Sequence, residues 1–130
     1  MDLRNLALVS AGIIGCVVAV VHGILVQRLM VMPFDEFART GGRISPPIRR
    51  LVPLLLHFST VSWFVGGLAL IAAANWLERD VKLATALFVG GLYLFGALGN
   101  FWGTHGRHPG WMMLAIALAL IAFGISKPPI

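Results

Sequence analysis

The sequence has few charged residues and very few acidic ones. Only 12% of its 130 residues are charged and Asp and Glu together number five, whereas a soluble domain carries about 25% charged residues. None of these acids falls inside a long apolar segment. An acid at membrane depth is the usual relay of a proton- or sodium-coupled transporter, so its absence disfavours that class. The five acids are Asp2, Asp35, Glu36, Glu78 and Asp80.

Cysteine and catalytic motifs are scarce as well. The single cysteine, Cys16, cannot form an internal disulfide and is interpreted as a small packing residue. Ser59 and Ser62 lie near His57 in the sequence, but no acid is placed to orient that histidine for nucleophilic catalysis. The sequence therefore predicts no catalytic residue.

Apolar residues make up 58% of the chain and fall into four blocks. A helix crosses a bilayer with roughly 20 mostly apolar residues, and the short fourth block can cross if it stands upright or thins the lipid. Short connections make neighbouring helices antiparallel. We therefore expect an all-α membrane protein with one domain over 1–130, built as an up-down-up-down bundle of four transmembrane helices. Their expected ranges are 6–31, 51–75, 83–103 and 110–125.

The longest connection is expected over residues 33–50. Pro33 is expected to end the first helix, because proline cannot continue the helical hydrogen-bond ladder. A glycine pair and a proline pair follow, and both are loop signals. Residues 34–39 are predicted to form a short helix at the membrane interface.

Basic residues flank the predicted spans and indicate an orientation. The side of the long connection carries six arginines and the side of the termini four basic residues, so the positive-inside rule favours a cytoplasmic connection and termini on the outer side of the membrane. Placed in this way, the net charge of +5 indicates contact with anionic lipid rather than with nucleic acid. The first group is Arg28, Arg39, Arg43, Arg49, Arg50 and Arg107, and the second is Arg4, Arg79, Lys82 and Lys127.

Small and aromatic residues predict two kinds of helix surface. Small residues at three- and four-residue steps let membrane helices approach closely, and the tryptophans fall mostly near predicted membrane interfaces, as an aromatic belt would. The small-residue stripes are Gly12, Gly15, Cys16, Ala19 and Gly23 in the first helix, and Gly96, Asn100 and Gly103 in the third; the tryptophans are Trp63, Trp76, Trp102 and Trp111.

All four histidines are predicted toward one end of the bundle. At 1.5 Å rise per residue, His22 and His57 lie at nearly the same depth, roughly 10 Å from that end. His105 and His108 lie at its mouth, and Asn100 faces the same way. Because imidazole binds transition metals and two opposed histidines can hold a haem, one hypothesis is a haem b on His22 and His57, or a metal held by all four histidines.

A simpler interpretation is favoured for these residues. Each histidine then forms one hydrogen bond between helices or lies at the level of the lipid headgroups. Arg28 and Arg107 would extend their guanidinium groups to lipid phosphate.

Three short segments resemble a known family. Residues 21–30 carry a histidine and an arginine at the end of the first helix. Residues 56–63 contain His-x-x-x-x-x-Trp at the start of the second helix, and residues 106–111 contain Arg-His-x-x-Trp at the start of the fourth. In these motifs the chain resembles a family of small, uncharacterised bacterial four-helix inner-membrane proteins, although family members often have glutamate in place of Gln27. The resemblance implies the fold and a polar end, but no activity. It points to His22, Arg28, His57, Trp63, Arg107, His108 and Trp111.

The sequence thus favours a non-catalytic membrane protein. It would act as a structural or accessory subunit, or as a bundle that binds lipid, a second copy of itself or a larger membrane complex. The alternative is a redox protein that holds haem or a metal in its histidine cluster.

Overall fold

The computed structural model describes residues 1–127, and this part of the chain is helical with no β-strand. The all-α prediction is therefore confirmed. The elements in chain order are α1 (Leu3–Val26), a π-helical turn (Gln27–Val31), α2 (Met32–Thr40), α3 (Pro46–Trp76), α4 (Arg79–Thr104) and α5 (Gly110–Ile125).

Three helices are long and apolar enough to cross a membrane. They are the continuous helix Leu3–Thr40, with 38 residues, α3, with 31, and α4, with 26. α5 is apolar as well but has only 16 residues. Large apolar side chains cover the outer surface, for example Phe95, which is 81% exposed. Such an apolar exterior is stable against lipid but not against water, so the bundle has the character of a membrane protein.

The first helix does not end at Pro33, contrary to the expectation from the sequence. A π-helical turn over Gln27–Val31 precedes the proline, and Pro33 then lies in the first turn of α2. The π-helical turn thus lies directly before the proline, and such a local widening lets a helix continue past a residue that has no N–H. α2 then ends at Gly41, whose φ of 145° favours glycine.

Helix also replaces most of the other expected connections. α3 begins at Pro46 rather than at 51, because two prolines are tolerated in a first turn. The expected interfacial loop 33–50 is thus reduced to residues 41–45. α3 and α4 are separated only by Leu77 and Glu78, while α5 has the predicted bounds.

The core forms where α1 packs against α3 and α5, with α4 closing the bundle against α3 and α5. Most of the small residues predicted on α1 are buried, and Gly12 meets the backbone of Gly67 on α3. Tyr93 of α4 is fully buried against Gly15, and its hydroxyl donates a hydrogen bond to the carbonyl of Trp63 at 3.3 Å. One tyrosine therefore joins three helices.

Candidate functional site

A groove runs along the surface between α3 and α4. It consists of two adjoining cavities of about 570 and 420 Å³ that share Phe58, Ser62 and Leu92. Phe58, Phe88 and Phe95 stand along its sides and are 69, 71 and 81% exposed. Over most of its length the groove is therefore an apolar channel open to the membrane side of the bundle.

The groove is wide because α4 carries glycine where it faces the groove. A Cβ atom added at Gly99 or Gly103 would meet no atom within 4 Å. One turn earlier, by contrast, the ring of Trp63 lies directly against Gly96. The sequence prediction that Gly103 packs against another helix is thus wrong, since Gly103 lines open space.

One end of the groove is polar. His22 reaches it from α1 and hydrogen-bonds through Nε2 to Oγ of Ser59, at 2.9 Å. The His22 ring also packs on Trp63, with ring centroids 4.6 Å apart. The remaining polar side chains at this end are Asn100 and Thr104, and Ser62 lies where this cavity joins the other one.

Backbone carbonyls already accept hydrogen bonds from two of the polar side chains at this end. Asn100 donates from Nδ2 to the carbonyl of Gly96 at 2.9 Å, which leaves its Oδ1 as an acceptor. Thr104 donates to the carbonyl of Asn100 at 2.6 Å. Ser62 makes no side-chain hydrogen bond within residues 1–127, so its hydroxyl is available to a ligand in the groove.

His22, Trp63 and Asn100 also line a second, smaller cavity of about 160 Å³. This cavity lies between α1 and α5, and His108 is another of its lining residues. The Nδ1 atom of His108 accepts a hydrogen bond from the backbone N–H of Gly110 at 3.0 Å. The structure therefore brings His22, His108, Asn100 and Trp63 together. The sequence predicted this for His22, His108 and Asn100.

His57 lies apart from this cluster. Its Nε2 hydrogen-bonds to Oε1 of Gln27 at 2.9 Å, and it lines a separate cavity of about 440 Å³ together with Gly23 and Arg28. Hence His22 and His57 open on different cavities, and the Nε2 of each already has a partner.

These positions do not suit the haem or metal hypothesis. On the side where a Cβ would stand, Gly23 is packed against α3, since a Cβ there would lie 2.7 Å from the methyl carbon of Thr60. Within residues 1–127, no three or more His, Cys, Asp or Glu side chains are grouped so that they could hold a metal ion. A haem b or metal on His22, His57, His105 and His108 stays a prediction that this arrangement does not favour.

The segment that opens α5 has a structural role. His105 ends α4 in the left-handed conformation, with φ of 50°, and its side chain is exposed. Trp111 donates from its indole N–H to the carbonyl of Gly106 at 3.0 Å and packs edge-on against Phe101, with centroids 5.1 Å apart. Trp111 thereby stabilises the turn between α4 and α5. The guanidinium-bearing residues Arg28 and Arg107 are both exposed.

Two aromatic residues differ from the sequence analysis. Trp63 was expected near the lipid interface, but it is only 5% exposed because it fills the space above Gly96. Tyr93 was not singled out at all. The available signal was that it is the single tyrosine, placed inside an apolar span where its hydroxyl needs a hydrogen-bond partner.

Comparison of the chain with protein-family models, with curated proteins and with solved structures found no match. The resemblance to small bacterial inner-membrane proteins therefore stays a prediction from the three motifs.

Proposed function

We propose that α1, α3, α4 and α5 all cross a bacterial inner membrane in up-down-up-down order, with periplasmic termini and a cytoplasmic 41–45 connection. Two hydrogen bonds support this order. Lys82 to Asn5 joins the starts of α4 and α1 at the same end of the bundle, and His22 to Ser59 joins the last turns of α1 to the first half of α3, as expected if α1 and α3 are antiparallel. With 16 residues, α5 is about 24 Å long and needs a locally thinned bilayer.

Within that bundle, we propose that the protein is non-catalytic and that the groove between α3 and α4 binds one membrane lipid. The observation that carries this proposal is the shape of the groove: a long apolar channel with the hydrogen-bonding groups of His22 and Asn100 at one end and the hydroxyl of Ser62 where its two cavities join. Apolar walls with a few placed polar groups are typical of sites for amphipathic small molecules. The acyl chain of the lipid would lie along Phe58, Phe88 and Phe95, and its headgroup would lie at the polar end.

The head of this lipid is proposed to be neutral. No described residue that lines either groove cavity is Asp, Glu, Lys or Arg. A charged head placed there would lose its hydration without gaining an ionic partner, which is costly. Hydroxyl, ester or ketone groups, in contrast, match the donors and acceptors of Ser62 and Asn100.

The test is binding of didecanoylglycerol, a neutral lipid, to the protein in detergent, measured by native mass spectrometry. Ser62→Ala removes the free hydroxyl that lies between the polar end and the apolar cavity. We expect about threefold to tenfold weaker binding, the usual range for one lost hydrogen bond. Ser10→Ala is the matched control, because Ser10 is also half-buried but lines none of the groove cavities.

The outcomes separate lipid from a protein partner. One bound lipid per chain, weakened by Ser62→Ala and not by Ser10→Ala, supports the proposal. Equal binding by both variants and the wild type refutes the role of the polar end. A dimer that excludes the lipid would show instead that a second copy of the chain occupies the groove.

A further inference from the structure

Four basic side chains converge at the end of the bundle opposite the histidines. They line a cavity of about 370 Å³ together with Asn5 and Ser126. Asp2 is the single acid among its described lining residues. The basic residues are Arg4, Arg79, Lys82 and Lys127. The cavity that they line is called the basic cavity below.

Three separate segments build this cavity. Arg4 comes from the start of α1, Arg79 and Lys82 from the start of α4, and Lys127 follows α5. Gly124 of α5 packs closely on the first turns of α1: a Cβ there would lie 3.1 Å from the carbonyl of Arg4. Tertiary packing, rather than one run of basic residues, therefore brings the charges together.

Two of the four cations are partly shielded from solvent, and one of them is held by a hydrogen bond. Arg4 and Lys82 are only partly exposed, and Nζ of Lys82 donates to Oδ1 of Asn5 at 2.9 Å. Like charges gathered in a partly buried cavity repel one another. Their arrangement is therefore favourable when an anion binds between them.

Two arginines at the opposite end of the molecule form ion pairs. There Arg39 pairs with Glu36, and Arg49 pairs with Asp35 at 2.9 Å. Within residues 1–127, no ion pair involves a cation of the basic cavity. The four cations of the basic cavity thus share one cavity without an ion pair, whereas two of the six arginines at the opposite end are paired with acids.

We propose that the basic cavity binds a phosphate-type anion, either the headgroup of an anionic phospholipid or free phosphate. The N-termini of α1 and α4 lie at this end and add backbone N–H groups and favourable helix dipoles. Arginine and lysine together give the strong charge-assisted hydrogen bonds that phosphate oxygens accept. The site is independent of the α3–α4 groove in position and in the charge of its ligand.

The test compares two charge-matched double variants. Arg79→Gln with Lys127→Gln removes two exposed cations of the basic cavity, and Arg43→Gln with Arg50→Gln removes two exposed cations of the opposite end. Neither pair makes a side-chain hydrogen bond within the described residues, so both proteins should fold; melting without added anion checks this. The probes are dioctanoylphosphatidylglycerol, dioctanoylphosphatidylcholine and inorganic phosphate in a non-ionic detergent.

Phosphatidylglycerol is expected to raise the melting temperature of the wild type and of the Arg43/Arg50 variant. The Arg79/Lys127 variant should need at least about tenfold more lipid, since charged hydrogen bonds are lost. Phosphatidylcholine should stabilise less. If inorganic phosphate protects equally well, free phosphate is the source of the ligand. Equal losses in both variants, or no stabilisation by any anion, would overturn the proposal.

Discussion

Gly12 and Gly67 bring the backbones of α1 and α3 into direct contact. A Cβ at Gly12 would lie 2.5 Å from the carbonyl oxygen of Gly67, and a Cβ at Gly67 would lie 2.5 Å from the carbonyl oxygen of Gly12. Backbone atoms cannot rotate away as side chains do. The reciprocal contact therefore sets how closely the two helices pack, and with it the position of His22 relative to Ser59.

Gly67→Ala should lower the melting temperature of the protein in detergent. The added methyl forces α1 and α3 apart, and overpacking of this kind costs about 1–3 kcal/mol. Gly91→Ala is the control, because a Cβ at Gly91 meets no atom within 4 Å. Equal melting of the two variants would mean that α1 and α3 do not cross at this point.

Tyr93→Phe should reduce the free energy of unfolding by about 1 kcal/mol, the net value of one hydrogen bond, because the bond to the Trp63 carbonyl is lost. Tyr93→Ala also removes the buried ring and should cost about 3–5 kcal/mol. Chemical denaturation in detergent distinguishes the two. A Tyr93→Phe protein as stable as the wild type would show that the hydroxyl does not stabilise the fold and that only the ring does.

The hydrogen bond between His22 and Ser59 should appear as coupling in a double-mutant cycle. His22→Ala and Ser59→Ala together are expected to cost less than the sum of the two single variants, by about 0.6 kcal/mol, the mean for hydrogen bonds between membrane helices. A cycle that pairs His22→Ala with Gln27→Ala is the reference, since Gln27 bonds to His57 instead. Equal coupling in both cycles would contradict the geometry.

The four-span arrangement predicts which cysteines a membrane-impermeant maleimide labels from the periplasm. In a Cys16→Ala background, Asp80→Cys and Lys127→Cys should react in intact cells, whereas Arg43→Cys and Arg107→Cys should react only after lysis. Labelling of Arg107→Cys and Lys127→Cys from the same side would show that the 16-residue α5 does not cross.

Much of the helical architecture follows from the sequence, because long apolar blocks leave few alternatives to helices in a membrane. The small residues of α1 also predicted the surface that packs on α3. The π-helical turn at Gln27–Val31 could not be predicted, since proline normally ends a helix and no local signal marks a wider turn.

The candidate site was predicted only in part. Depth along a helix placed His22 and His57 at one level, but depth does not give the direction around the helix axis. The structure directs His22 toward Ser59 and the groove, and His57 toward Gln27. Likewise, glycines at 96, 99 and 103 look alike in a sequence, although Gly96 is packed against Trp63 and the other two border open space.

Whether a neutral lipid occupies the α3–α4 groove can be measured by filling the groove with a larger side chain. Gly99→Leu places a side chain in its open space, and Gly91→Leu places the same side chain in open space that lines neither groove cavity. Native mass spectrometry with didecanoylglycerol should show at least about tenfold weaker binding for Gly99→Leu, with wild-type binding for Gly91→Leu and similar melting temperatures for both. Unchanged lipid binding in a folded Gly99→Leu protein would show that the lipid does not occupy the groove.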